Sequence, residues 1–370
     1  MKAIALVPGT TKLRLVERPE PRIEQPDQVK LRVIMVGICG TDREEASGGR
    51  AIAPPGQTDL VIGHEMLGRV VAAGPSVTAV QPGDLAVLSV RRPCGQCHEC
   101  AIGFSDMCSS GEYVDRGIRK QDGYQTELVV DSERYVVKIP PEVGSTGVLA
   151  EPMSISQKAI TEVAALQTIR LPDAGQPEAW LKGRNVLVAG LGPIGLLAAF
   201  ALRLRGAAVL GTDVVDTDNA RVRILERIGG RYVDGRKSAP QEISKHFGRI
   251  DLVFEATGVA HVEFDLLEAL ARNGAYVLTG IPGGDRPMEI DGALLVRRLV
   301  LGNQLMVGSV NSTLAAFQAG VQDLRRAKET WGDALDEMIT NRLPYTEFKK
   351  ALTRRGGDEI KTVLTWTELL

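Results

Sequence analysis

The sequence predicts an α/β protein with a β-rich N-terminal domain followed by a doubly wound parallel sheet. Three observations carry this. Over residues 1–140 short β-branched runs alternate with Gly and Pro, and from residue 185 strand-like runs alternate with amphipathic helical stretches. A Gly-rich turn joins the first of those strands to the first of those helices. At 370 residues the chain is long enough for two separate cores.

In order along the chain, strands are expected at 29–36, 67–74, 85–90, 126–130 and 134–140, where Val, Ile and Leu cluster between turn residues. Residues 152–169 have helical spacing, and 171–184, with two prolines and two glycines, interrupt it as a boundary. The second domain then reads strand 185–190, helix 192–206, strand 207–213, helix 219–230, short strand 231–235, strand 251–258, helix 262–274 and strand 275–282. Such alternation is the signature of right-handed βαβ crossovers. Residues 299–310 suggest another strand, 313–329 and 346–357 two helices, and 360–366 a last strand.

Composition narrows the partners. With 44 Lys+Arg against 46 Asp+Glu there is no global field to hold nucleic acid or an anionic membrane, and aromatic residues are too few, at 4%, for base-stacking platforms. The longest uncharged stretch, 186–202, is broken by Gly190, Gly192, Pro193 and Gly195, so no membrane span is expected. The N-terminus has only a five-residue apolar run, so no signal-peptide core can be drawn and a cytoplasmic protein with a small-molecule partner is expected.

Gly190-Leu191-Gly192-Pro193-Ile194-Gly195 follows a strand and opens a helix, which is the context a dinucleotide site requires. One glycine makes the turn, one lets backbone approach a pyrophosphate, and one lets helix and strand pack closely. The helix N-terminus supplies free N–H groups for the diphosphate. Asp213, eighteen residues after Gly195, ends the next strand, where it can accept from a ribose hydroxyl. A Gly-rich turn without ligand is the plainer alternative.

Cys94, Cys97, Cys100 and Cys108 stand within fifteen residues, enough thiolates to close a tetrahedral zinc shell with no open position. Reduced free thiols or an iron–sulfur centre are the alternatives. A second set is dispersed: Cys39 in GICGTD, His64 and Glu65 in GHE, and Glu151 in AEP. A thiolate, an imidazole and one carboxylate leave a fourth zinc position for water or substrate, as catalytic zinc needs. Taken singly, a Cys is more often a buried core residue and a His a satisfied polar one.

GICGTD, GHE, the four-Cys loop and GLGPIG, in this order, resemble the zinc-dependent medium-chain dehydrogenase/reductase superfamily over almost the whole chain. More closely the chain is similar to the archaeal-type glucose dehydrogenases, the aldose 1-dehydrogenases of that superfamily. The strings that carry this are 39–43, 90–93, 111–112, 122–123, 149–152, Glu255-Ala-Thr-Gly258 and 308–312. The resemblance implies a GroES-like catalytic domain over residues 1–155, completed by 310–370, and a Rossmann domain over 185–309. It also implies two zincs per chain, a catalytic one on Cys39, His64 and Glu151 with Glu65 as alternate carboxylate, and a structural one on the four-Cys loop. Gly190, Gly192, Pro193, Ile194, Gly195, Asp213 and Thr257 fall on the cofactor. Thr41, Asp115, Glu151 and Asn311 fall on the sugar.

The chain departs from that pattern in three places. Asp115 stands where the family often has Glu, no His occurs in 299–303, and Val90 stands where some members have Asn. The expected reaction is oxidation of an aldopyranose at C1 to the lactone with hydride transfer to a nicotinamide. Thr41 would take the substrate proton, with Glu65 a second candidate. Read from residues alone, Thr41 is equally a turn-capping hydroxyl, and Asp115 and Asn311 are equally surface polar groups. An NAD-dependent polyol or secondary-alcohol dehydrogenase is the nearest rival. A non-catalytic zinc- and nucleotide-binding protein is the rival of another class.

Relatives that use NADP carry Asn-Arg-Arg or Gly-Arg-Arg where this chain reads Gly211-Thr212-Asp213-Val214-Val215. Asp213 is therefore expected to favour NAD over NADP by about ten- to a hundredfold. Arg221 and Arg223 are the nearest downstream cations, inside a predicted helix. The resemblance also implies a homodimer or homotetramer, with the edge of the dinucleotide-domain sheet as the expected interface.

Overall fold

The structure, a computed structural model, describes residues 1–283, 287–353 and 356–368. The chain divides into two compact units: Met1–Ser154 with Asn311–Lys328 and Met338–Leu370, and Ile155–Val310 with Glu329–Glu337.

The first unit opens with β1 (Lys2–Leu6), β2 (Leu13–Glu17), β3 (Gln28–Gly37), α1 (Gly40–Ala46), β4 (Leu60–Val61), β5 (Glu65–Ala73), β6 (Leu85–Leu88) and β7 (Arg91–Arg92). After α2 (His98–Ala101) come β8 (Val114–Arg116), β9 (Lys120–Gln121), β10 (Leu128–Ser132) and β11 (Val136–Ile139), and then α3 (Ala150–Arg170), which passes from the first unit into the second after Ser154. The second unit holds α4 (Pro177–Trp180), β12 (Asn185–Ala189), α5 (Pro193–Leu204), β13 (Ala208–Asp213), α6 (Ala220–Arg227), β14 (Arg231–Asp234) and α7 (Pro240–Phe247). It continues with β15 (Ile250–Glu255), α8 (Ala260–Asp265), β16 (Leu270–Leu278), α9 (Gly292–Gly302) and β17 (Leu305–Gly308). The C-terminal part adds α10 (Leu314–Trp331), β18 (Ile339–Pro344), α11 (Phe348–Thr353) and β19 (Lys361–Thr365).

In the first unit the main sheet runs β11-β6-β5-β3-β19-β18, with β10 also on β3. The long strand β3 is its hub. On one side Gly37 is in register with Glu65 of β5, and on the other with Val363 of β19. Strand ends from distant parts of the chain thus meet at one point. Val29, Leu31, Val33, Val36, Met66, Val70, Tyr124, Leu364 and Trp366 fill the core beneath. β1 and β2, which lie outside the strands expected from the sequence, pair in a separate antiparallel sheet with β4.

The second unit is a six-stranded parallel sheet in the order β14-β13-β12-β15-β16-β17. The Gly-rich turn lies between β12, at its centre, and α5. Two expectations are corrected here. The helix expected over 262–274 stops at Asp265, a 3₁₀ turn follows, and Leu270 already pairs with Ile250; Asn273, at φ 61°, lies in the left-handed region. The strand expected over 299–310 is the end of α9 followed by a four-residue strand, because Asn303 takes a left-handed conformation at φ 46° and ends the helix. Of the helix expected over 346–357, Arg354 and Arg355 lie outside the described residues. No helix among the described residues is long and apolar enough to cross a membrane.

Candidate active site

β3 ends at Gly37 and Cys39 caps the N-terminus of α1. A Cβ on Gly37 would lie 2.1 Å from Glu65 Oε2, so only glycine admits the carboxylate of the neighbouring strand. Gly63, with φ +91° and Gln125 Cγ 2.6 Å from where its Cβ would stand, turns the chain so that His64 enters the same pocket. One ligand atom from each of Cys39, His64 and Glu65 lies within 4.8 Å of the others. A single ion can bridge such a trio. Glu151, at the start of α3, lies outside that group, yet the charges of His64 and Glu65 act on it. Burial pushes its carboxyl up to about 7.

Asp42, fully buried, supports the trio from behind. Its Oδ2 accepts the Cys39 backbone N–H at 2.7 Å, and its Oδ1 lies 3.5 Å from His64 Nδ1. Burial works against a charged imidazole, but Asp42 and Cys39 outweigh it and raise the His64 pKa well above its usual value. Metal entry would therefore expel a proton. Glu65 is held by Lys361, whose Nζ donates to Oε1 at 2.8 Å and Oε2 at 2.7 Å, and also to the Ile38 carbonyl. Both side chains are 3% exposed or less. Burial lowers the Lys361 pKa and Glu65 more than offsets it. Both Glu65 oxygens accept from Lys361, so a proton-acceptor role for Glu65 would compete with that ion pair.

Thr41 is half-buried in the first turn of α1. Asp115, on β8, is not a free surface carboxylate. Arg91 of β7 grips it with two bonds, Nε to Oδ1 at 2.8 Å and Nη2 to Oδ2 at 2.9 Å, and lies over the Tyr113 ring. Arg91 Nη1 also donates to the Asp106 carbonyl, which accepts from Asn311 Nδ2 at 3.1 Å as well. Asp115 and Asn311 are thereby tied to one guanidinium and one carbonyl.

The four loop cysteines are free of disulfides, and their Sγ atoms all lie within 4.8 Å of one another. The Ser110 hydroxyl and the N–H groups of Gln96 and Cys97 lower the Cys94 thiol to about 6, which favours the thiolate a metal needs. His98 is exposed and stands apart from the cluster.

In the second unit Gly190 is left-handed at φ +85° and a Cβ on Gly195 would lie 1.8 Å from the Gly190 carbonyl, so turn and helix are pressed together. Gly192 caps α5 with no side chain closing the helix end, Pro193 and Ile194 begin the helix, and nothing lies within 4 Å of where a Gly192 Cβ would be. That open face, with free N–H groups behind it, fits a pyrophosphate. Asp213 accepts the Leu191 N–H at 2.8 Å and the Val214 N–H at 2.7 Å. Thr257 follows β15, its hydroxyl donating 2.6 Å to the buried Glu255.

Asp42, Arg91 and Lys361 were missed as functional positions. Asp42 had a signal, three residues after Cys39 at a helix start. Lys361 had none, being 296 residues from Glu65.

Comparison with known proteins agrees with the fold. Residues 25–141 match the alcohol dehydrogenase GroES-like domain and residues 144–366 the glucose dehydrogenase C-terminus. Glucose 1-dehydrogenase 2 of Vulcanisaeta moutnovskia is 36% identical over 98% of this chain and 99% of its own, and glucose 1-dehydrogenase of Thermoproteus tenax is also 36% identical with the same coverage. The glucose dehydrogenase of Haloferax mediterranei, solved with NADP, Zn and gluconolactone, superposes over 100% of both chains with a TM-score of 0.86 at 31% identity. A GroES-like domain joined to a Rossmann-type parallel sheet defines the medium-chain alcohol dehydrogenase class. Within it, this chain belongs to the zinc-dependent glucose dehydrogenase family.

Proposed function

We propose that this chain oxidises an aldopyranose such as glucose at C1 to the lactone, passing hydride to a nicotinamide dinucleotide and releasing one proton. The observation that carries the proposal is the convergence of Cys39, His64 and Glu65 within 4.8 Å, with Glu151 beside them. Cys39 and His64, with Glu151 or Glu65 as carboxylate, are the residues that would hold a catalytic zinc, which when bound supplies a Lewis acid for the C1 hydroxyl. Asp42 holds His64 in orientation, and Lys361 balances the charge of Glu65. Thr41, two residues after Cys39, accepts the hydroxyl proton and hands it toward solvent.

Asp115 and Asn311 hold ring hydroxyls. The bonds from Arg91 leave lone pairs on the Asp115 oxygens, and a missing hydrogen bond to the sugar costs about 1–3 kcal/mol. Gly190, Gly192, Pro193, Ile194 and Gly195 cradle the pyrophosphate, and Thr257 contacts the cofactor farther along. Asp213 accepts from the ribose 2′-hydroxyl, so NAD is preferred to NADP. The four loop cysteines hold a second, structural zinc, making two per chain. Free thiols of this kind suit the reducing cytoplasm. A second copy of the chain covers the outer face of α9 and β17, giving a homodimer or homotetramer.

The test is reduction of NAD+ over pyranoses differing at C2, C3, C4 and C6, beside sorbitol, inositols and simple secondary alcohols. Aldoses alone should turn over well, and removing zinc should stop turnover. Better turnover of polyols or secondary alcohols overturns the substrate assignment, and no turnover of any of them overturns the enzyme reading.

A further inference from the structure

The string Glu255-Ala-Thr-Gly258 closes β15, and its first residue is fully buried. Neutral donors engage both carboxylate oxygens of Glu255. Oε1 accepts from the Thr257 hydroxyl at 2.6 Å, from the Thr257 N–H and from the Gly258 N–H at 3.1 Å, and Oε2 accepts from the Gly280 N–H at 3.2 Å. The Glu255 backbone carbonyl accepts from the N–H and the hydroxyl of Thr279, at 3.0 and 2.6 Å. The segments that follow β15 and β16 are thereby tied to one residue. They are also pressed together, since a Cβ on Gly280 would stand 2.3 Å from the Gly258 nitrogen. Donors on both oxygens suit an ionised carboxylate, which only accepts. Among the described residues no Lys, Arg or His forms an ion pair with it. Burial, and after it the charge of Glu255, raise the Glu263 carboxyl and the Tyr276 hydroxyl above their ordinary values.

Strand order says where this charge lies. In β14-β13-β12-β15-β16-β17 the chain order reverses between β12 and β15, and open α/β sheets bind ligands outside the carboxyl ends of their strands at such a point. With the pyrophosphate on the turn after β12 and the adenosine ribose toward Asp213 of β13, the other half of the dinucleotide extends over the ends of β15 and β16. Residues 256–258 lie against that turn, since a Cβ on Gly190 would be 2.9 Å from the Ala256 carbonyl. Ile281 and Val259, both exposed, offer apolar surface there for a ring. We propose that Glu255 is a positioning residue for the nicotinamide: it holds the two segments on which the ring lies, and its buried charge favours the positively charged ring of the oxidised cofactor over the neutral ring of the reduced one. The inference deepens the proposed function and rests on the Gly-rich turn being the pyrophosphate site. Little water screens a buried charge, so the carboxylate acts beyond contact distance. Once hydride has neutralised the ring, that attraction is gone and the reduced cofactor leaves more readily.

Dissociation constants for ADP, which has no nicotinamide, and for NAD+ and NADH are measured by calorimetry on the whole protein and on Glu255→Gln, Glu255→Asp and Gly280→Ala. Glu255→Gln should weaken NAD+ at least about fivefold more than NADH and change ADP by less than about twofold. Glu255→Asp keeps the charge and loses reach, so both cofactors should weaken while their ratio stays within about twofold of the parent's. Gly280→Ala forces the two segments apart with the carboxylate intact, and should likewise weaken both cofactors alike and spare ADP. Equal losses of NAD+ and NADH in Glu255→Gln would overturn the electrostatic role. ADP falling as far as NAD+ would reduce Glu255 to a general support of the fold, and an unaltered NAD+ affinity in Gly280→Ala would overturn the placement of the ring. Should Glu255→Gln fail to fold, the other two variants decide, because a shifted ratio of NAD+ to NADH in either contradicts the role of the charge. A parent that binds neither ADP nor NAD+ overturns the reading of the Gly-rich turn and this inference with it, whereas one that binds both and oxidises no sugar overturns the proposed substrate alone.

Discussion

His64 reaches the pocket from the loop before β5, with Nδ1 3.5 Å from Asp42 Oδ1 and a ring nitrogen within 4.8 Å of ligand atoms of Cys39 and Glu65. Replacing it with Ala removes a proposed metal ligand, and His64 lies in the first unit, apart from the Gly-rich turn of the second. His64→Ala should therefore cut sugar-dependent NAD+ reduction by about a hundredfold or more, with NAD+ affinity retained in calorimetry. Turnover like that of the parent would refute the metal assignment. Glu45, on the same helix as Asp42, makes a different point. It is fully buried, neither oxygen has a hydrogen-bond partner among the described residues, and burial together with Asp42 pushes its carboxyl up to about 9. The native state therefore holds a proton that the unfolded chain loses near its ordinary value of 4.5. Stability contributed by this group is full below about 4.5 and declines as pH rises toward 9. Glu45→Gln should raise stability at pH 8 by about 1–3 kcal/mol and flatten the dependence of Tm on pH between 5 and 9. A lower Tm at pH 8 would show that the charged carboxylate has a partner there.

At the scale of elements, the four-Cys loop is held by few apolar side chains: Ile102, Phe104 and Met107 are all exposed, and Cys108 is its buried member. Arg91 reaches the Asp106 carbonyl, and in the proposed reading a zinc on the four thiolates supplies the rest of its order. Cys97→Ser is expected to lower Tm and to reduce zinc content by one per chain, while the molecules that stay folded keep measurable turnover. Loss of all activity at unchanged Tm and zinc content would contradict a structural site. The elements themselves were legible in different degrees. The alternation from residue 185 onward and the strands at 29–36, 67–74 and 85–90 were readable because each is a local apolar pattern bounded by turn residues. The helix over 262–274 was overextended because Leu270 and its neighbours are as apolar as a helix face requires, and pairing with Ile250 decided for strand.

For the whole molecule, the open question is assembly. Among the described residues β17 pairs with β16 alone, and no residue of α9 is buried although Leu294, Val296, Val300 and Leu301 lie on it, the last two 70% and 67% exposed. An edge strand beside so much apolar surface is a liability in an isolated chain and a ready interface for a second copy. Light scattering should find a dimer or tetramer for the parent, and Val300→Asp combined with Leu301→Asp should shift it to monomer. A parent that is already monomeric at micromolar concentration would rule this interface out.

The sequence by itself determined the features whose parts lie close together along the chain. The Gly-rich turn, with its strand, helix and terminal Asp213, spans fewer than thirty residues, and the four-Cys loop spans fifteen. Their geometry follows from local backbone constraints and ligand chemistry. It also supplied Cys39, His64, Glu65 and Glu151 as candidates, but not their arrangement. Only the tertiary structure decided that Glu65 faces Lys361, that Asp115 is gripped by Arg91 and that Arg221 sits on Asp213. The physical reason is that a buried or half-buried charge must find a partner, and which partner it finds is set by strand register and helix placement across the fold. In the first unit that register joins Glu65 and Val363 to opposite sides of Gly37, and nothing near any of the three residues announces it.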